Sequence, residues 1–211
     1  MAPGDPTSFK AEASALLSAL ERHDDATRDH CDSVAGWSRR IAKALGLSPV
    51  AVQFVERCAL LHDVGKLLTP DHILKKPGPL TASEWNRMKD HAADGATILQ
   101  DIPVLASYAS VVRSHHERYD GRGYPEGLRG TAIPLGARIV SVAGAFDAMI
   151  GKRSYGEPLT PSAAIAELQR NRGSQFEPAI VDCLVSVVQA RRGGLRQSSG
   201  DSDLDSREAK R

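Results

Sequence analysis

Seven histidines stand in this chain of 211 residues, and five of them fall on, or at the end of, an expected helix. His62-Asp63 closes the apolar run Leu60-Leu61, His30 lies upstream, and His91 and the pair His115-His116 follow. Imidazole and carboxylate without thiolate suit a divalent iron, manganese, cobalt or zinc ion. A carboxylate can bridge two metals, which one imidazole nitrogen cannot do. Two bridged ions can activate water for in-line attack on phosphorus while stabilising the charge that develops. Lys66, three residues past Asp63, is placed to meet a phosphate as a point charge. A His-Asp pair taken alone is more often a capped helix end than a site. Neighbouring helical residues point about 100° apart, so both could grip one metal only where a helix frays.

The elements that must carry these residues are helical throughout, and no β alternation is present. Phe9, Ala13, Leu16, Leu17 and Leu20 mark an amphipathic first helix. A second, from about Ala26 to Leu45, carries Val34, Trp37 and Ile41 on one face. Ser48-Pro49 caps a helix running to Leu61, and Thr81-Ala82-Ser83-Glu84 reads as a capping box. Pro103 is expected to open a helix ending near His115-His116, and Pro134 one ending at Ile150. Thr160-Pro161 and Glu177-Pro178 open the last two. Between them, residues 117–133 hold glycines at 121, 123, 127 and 130, which reads as a long ordered loop. Trp37 and Trp85 fit core positions at helical spacing and not a base-stacking platform.

Composition narrows the function. A net charge of +1, with basic residues spread along the chain, leaves no footprint for a nucleic-acid polymer. Cys31, Cys58 and Cys183 are odd in number, widely spaced and without CxxC, so free thiols in a cytoplasmic protein are expected. Met1–Lys10 has no basic patch leading into an apolar run, and the apolar stretch 133–151 carries Arg138 and Asp147. Neither a signal peptide nor a membrane span is expected.

Two stretches resemble the HD-GYP branch of the HD phosphohydrolases: LHDVGKLLTPDHILKKPGPLTASEWNRMKDHAADGATIL, residues 61–99, and HHERYDGRGYPEGLRGTAIPLGARIVSVAGAFDAM, residues 115–149. His115-His116-Glu117, Asp120-Gly121 and Gly123-Tyr124-Pro125 form the extended signature. The resemblance implies an all-α, HD-type multi-helix bundle with a long ordered GYP loop, spanning residues 24–191. Residues 1–23 would be an N-terminal helix or extension, and residues 192–211 a disordered tail. It also implies a phosphodiesterase that hydrolyses cyclic di-GMP to linear pGpG, GMP or both, with two divalent transition-metal ions, iron or manganese. By motif position the metal ligands would be His30, His62, Asp63, His91, His115 and His116, with Asp63 bridging. Lys66 matches the family's phosphate-contacting lysine, and Arg153 its substrate-binding arginine. Glu117 and Asp120 are expected to orient imidazoles or anchor the loop.

Departures from the pattern matter as much. Where the family reads A-D-x-F-D-A with its first aspartate on a metal, this chain has Ala143-Gly144-Ala145-Phe146-Asp147-Ala148. Glycine has no donor atom, so the ion held by His30 and His62 loses a carboxylate, while the ion of His91, His115 and His116 keeps its set. One strong and one weakened metal position, and impaired activity, are therefore expected. Gly156 stands where a basic residue is usual, and Ala26 where some members carry a third-metal glutamate, so two ions are the ceiling. Two rival readings stay open: a catalytically weak cyclic-dinucleotide receptor or interaction module, and an HD hydrolase of another phosphate ester. The first helix could form a homodimer or pack on its own domain, and the GYP loop could meet a signalling partner.

Overall fold

The stripe of Val34, Trp37 and Ile41 makes its helix the centre of the molecule, because every neighbouring helix can bury an apolar face against it. A computed structural model describes residues 6–151 and 157–198. Within them run α1 (Pro6–His23), α2 (Asp25–Ala44), α3 (Pro49–Leu61), α4 (Asp71–Leu74) and α5 (Ala82–Lys89). Then come α6 (His91–Gln100), α7 (Ala109–Arg113), α8 (Leu135–Ile150), α9 (Pro161–Arg170) and α10 (Pro178–Ser198). Among the described residues no strand forms; there is one isolated bridge, between Arg172 and Phe176. The all-α, multi-helix architecture is as expected, and among the described residues no helix is long and apolar enough to cross a membrane.

α2 packs on α1, α3, α8 and α10. Val34, Ile41, Leu61, Ile139, Phe146 and Leu184 are fully buried there, each worth about 1.5–3 kcal/mol on leaving water. Trp37 meets Phe146 edge to face at 4.9 Å between centroids, a core position as its spacing predicts. α1 packs on α2 and on the turn after α3. Its Phe9 sits 5.4 Å from the Tyr108 ring, with the Arg57 guanidinium 4.0 Å over its other side. The apolar face of α1 is thus covered by its own chain, and Phe9 and Ala13 belong to the same apolar cluster as Val34 and Leu61.

The expected caps are in place. Ser48 Oγ accepts from the Ala51 amide, and Thr160 Oγ from the Ala163 amide. Thr81 and Glu84 form a reciprocal capping box. Two expectations need correction. Pro103 does not open a helix: burying Leu105 bends the chain into tight turns, with the Leu105 amide donating to Ile102 and that of Tyr108 to Leu105, before α7 starts at Ala109. The segment beginning at 192 is not all irregular either. α10 continues to Ser198, since an established helix propagates by gaining one backbone hydrogen bond for each residue fixed. Residues 199–211 of the expected tail lie outside the described residues, as do Arg153 and Gly156.

Candidate metal centre

The centre is assembled at helix ends. α3 stops at Leu61, His62 is its C-cap, and Asp63 leaves the helical region at φ −99°, ψ 6° before a 3-10 turn over Val64–Leu68. That break lets both adjacent side chains face one place. The 3-10 turn then packs directly on the start of α6. A Cβ at Gly65 would stand 1.9 Å from the His91 carbonyl oxygen, so only glycine permits the approach that brings His91 to Asp63. His115 and His116 occupy the turn that ends α7, and His30 projects from α2.

Two groups of donors result, His91 with His115 and His116, and His30 with His62 and Asp63; within each, the donor atoms lie within 4.8 Å of one another. Asp63 stands between them. Its Oδ2 is 3.4 Å from His62 Nε2 and its Oδ1 is 3.4 Å from His91 Nε2. Lys66 Nζ donates to Asp63 Oδ2 at 2.7 Å. Of the residues singled out in the sequence, all six expected ligands and Lys66 therefore meet at one cleft.

Backbone carbonyls set the imidazoles. His62 Nδ1 donates to Ala59 at 2.7 Å, His91 Nδ1 to Met88 at 2.6 Å and His115 Nδ1 to Val112 at 2.6 Å. A carbonyl only accepts, so the proton of each neutral ring sits on Nδ1, and Nε2 faces inward with a bare lone pair. Burial keeps these rings neutral. It pushes His62 down to about 4 and His116 down to about 3, and lowers His91 and, further still, His115. Burial alone would raise the Asp63 carboxyl, but His62 and the Lys66 ammonium more than offset it, and the group lies well below the usual carboxylate range. Burial opposes the Lys66 charge too, yet Asp63 raises it above an ordinary lysine.

This donor set fits divalent metal. The bare Nε2 atoms of His91 and His115 face each other at 3.4 Å with no proton to share, an arrangement that repels unless a cation lies against both. Nitrogen and carboxylate donors with neutral imidazoles are what such an ion requires. Cys31 Sγ lies 3.9 Å from His62 Nδ1, but burial pushes its thiol up, so it brings no thiolate.

One residue gains a role that the sequence reading did not give it. Asp147, the single acid of α8, accepts from His30 Nδ1 at 2.6 Å and from the Ser33 hydroxyl. It fixes the tautomer of His30 and turns Nε2 toward the cleft, the carboxylate–histidine arrangement common behind metal ligands. In the sequence it stands at the second aspartate of the A-D-x-F-D-A pattern, with no partner indicated. Gly144, three residues earlier, lines the cleft, and a Cβ built there would meet nothing within 4 Å.

The GYP loop closes one side. Gly123 lies so near the preceding turn that a Cβ would stand 2.3 Å from the Arg118 amide nitrogen. Tyr124 stacks on His116 with centroids 4.8 Å apart at 22°. Glu117 Oε1 accepts from the Glu126 amide at 2.7 Å, and Asp120 holds Arg118 and the Arg122 amide, so both acids anchor the loop. Trp85 departs from expectation: it is 49% exposed and lines the cleft instead of the core, because α5 buries none of its residues.

Comparison with known proteins agrees with this geometry. The sequence pattern of the HD domain family matches residues 12–180. The chain is 44% identical over 174 residues to a cyclic di-GMP phosphodiesterase response regulator of Xanthomonas campestris pv. campestris, covering 82% of this chain and 46% of that protein. It is 38% identical over 172 residues to a 3′3′-cGAMP-specific phosphodiesterase of Vibrio cholerae, covering 81% of this chain and 33% of that protein. The crystal structure of a V. cholerae cyclic GMP-AMP-specific phosphodiesterase shares its fold with a TM-score of 0.66 at 20% identity, over 87% of this chain and 49% of that one. The chain thus spans about half or less of the length of these relatives.

Proposed function

The chain belongs to the HD domain family, in its HD-GYP branch, and from that premise we propose that it is a metal-dependent phosphodiesterase acting on cyclic di-GMP or a closely related cyclic dinucleotide. One observation carries the reading: two donor groups share the carboxylate of Asp63, with proton-free imidazole nitrogens turned inward. His30, His62 and Asp63 would hold one ion, and His91, His115 and His116 a second, with Asp63 common to both. Iron or manganese suits nitrogen and carboxylate donors without thiolate. When bound, the ions supply Lewis acidity and lower the pKa of water.

The chain's own residues do the rest. The Lys66 ammonium, held beside Asp63, faces the cleft where the phosphate would lie and steadies the charge that grows on its oxygens. Asp147 keeps His30 aimed and Asp63 stays ionised throughout. Arg153 would add a second positive contact to the substrate. In the reaction a water oxygen forms the new bond to phosphorus, the bond from phosphorus to the ribose 3′ oxygen breaks, and the proton passes to that leaving oxygen. The product is the linear dinucleotide with a 5′ phosphate, and a second cycle gives mononucleotide.

Gly144 favours a second reading, a cyclic-dinucleotide receptor that turns over slowly, because this cleft-lining position offers no carboxylate. Incubation of Mn²⁺- or Fe²⁺-loaded protein with cyclic di-GMP separates the two. Linear product at a rate dependent on metal is expected from the phosphodiesterase. Saturable binding without product selects the receptor, and neither binding nor product removes cyclic di-GMP from consideration.

A further inference from the structure

We propose that Trp85 is the stacking platform for a purine base of the substrate, a substrate-binding residue outside the metal centre. The inference rests on the cyclic-dinucleotide reading above and adds to it the place where a base is held.

The cleft has a volume of about 390 Å³ and is lined by two aromatic side chains besides the histidines, Trp85 and Tyr124. Tyr124 is already engaged: one face lies on His116, and the Lys89 ammonium stands 5.9 Å from its centroid. Trp85 has no ring or cation partner among the described residues and is 49% exposed, against 8% for Trp37. An indole left open to water at the mouth of a polar cleft offers a large flat face. Purine bases take such faces irrespective of their hydrogen-bonding edges.

The position of that face is fixed relative to the metal ligands. α5 starts at the Thr81–Glu84 capping box, with Lys76 Nζ donating to Glu84 at 2.6 Å. Arg87 ties the helix to Asp94 at 2.8 Å and to the Leu68 carbonyl at 2.7 Å. Met88, one turn beyond Trp85 and lining the same cleft, accepts from His91 Nδ1. A base on Trp85 is therefore registered to His91 through a single helical turn. On the α8 side the cleft is lined by Val140, Ser141, Gly144, Ala145 and Ala148, none of which carries a ring to compete for the base.

The test uses Mn²⁺-loaded protein, with the intrinsic fluorescence of its two tryptophans read before turnover. Cyclic di-GMP should quench the parent protein and leave the emission of Trp85→Phe, which then comes from buried Trp37, unchanged. Trp85→Ala should weaken cyclic di-GMP binding on the order of ten- to hundred-fold, while Trp85→Phe recovers most of it. Inorganic phosphate, which has no base, should bind both variants as it binds the parent. Equal cyclic di-GMP affinity in Trp85→Ala and parent overturns the platform and leaves the functional reading standing. Equal weakening of phosphate and cyclic di-GMP also overturns it, since the effect would then not be on a base. Failure of the parent protein to bind any cyclic dinucleotide overturns both.

Discussion

On the proposed two-ion reading, Gly144 sets how evenly the centre would hold its metals. It sits on the cleft-facing side of α8, where His30 and His62 have one shared carboxylate and no other acid aimed inward. The space is open, so Gly144→Asp can be accepted without displacing a neighbour, and in helix propensity aspartate is no worse than glycine. The substitution is expected to raise bound metal from about one to about two ions per chain, and turnover at least about ten-fold, a gain of ~1.4 kcal/mol in the barrier. Metal analysis by mass spectrometry and a hydrolysis assay check it together. Unchanged metal content and rate would remove Gly144 from the metal site. This residue was readable in the sequence because a missing donor in a fixed motif needs no three-dimensional knowledge. The partner of Asp147 was not, because His30 lies on another helix and only packing brings the two to 2.6 Å.

At the scale of elements, the centre depends on how closely the turn after α3 approaches α6. Gly65→Ala would place a methyl group 1.9 Å from the His91 carbonyl oxygen and 2.4 Å from the Gly95 amide nitrogen. Both obstacles are backbone and cannot rotate away, so the two elements must separate. A loss of about 1–3 kcal/mol in unfolding free energy is expected, in the range of overpacked cores, together with weakened metal binding. Urea denaturation measures the first and metal titration the second; a variant as stable as its parent would contradict the close approach. The helix starts at Ser48, Thr81 and Thr160 were legible because caps are local hydrogen bonds. The region after Pro103 was not, because the demand to bury Leu105 comes from the core and not from its neighbours in sequence.

For the whole molecule, folding encloses several neutral imidazoles at one point, and that links stability to pH. In the unfolded chain these rings take up protons near pH 6.5, whereas in the folded, metal-free protein His62 does so at about 4 and His116 at about 3. Between those values the unfolded state binds more protons, so stability falls as pH is lowered through the window from about 6.5 downward. Each such histidine steepens the loss by up to ~1.4 kcal/mol per pH unit. Chelator-treated protein should therefore show a lower denaturation midpoint at about pH 5 than at about pH 7. Metal-loaded protein should show a smaller drop, because bound ions compete with protons for the same lone pairs. Equal midpoints for the chelated protein would mean that these rings are not held neutral.

The sequence by itself determined the kinds of donor, their order along the chain, the all-helical architecture and the caps, and its resemblance to the HD-GYP pattern pointed to the gap at Gly144. The donor types, helices and caps are local or compositional, because periodicity and cap chemistry act within a few residues. Tertiary structure alone decided that Asp147 steadies His30 and that α1 covers its own domain. It also decided that Trp85 opens onto the cleft instead of the core. Periodicity fixes the direction of a side chain around its own helix. Whether that direction meets another helix, a metal-binding cleft or water depends on how distant segments pack.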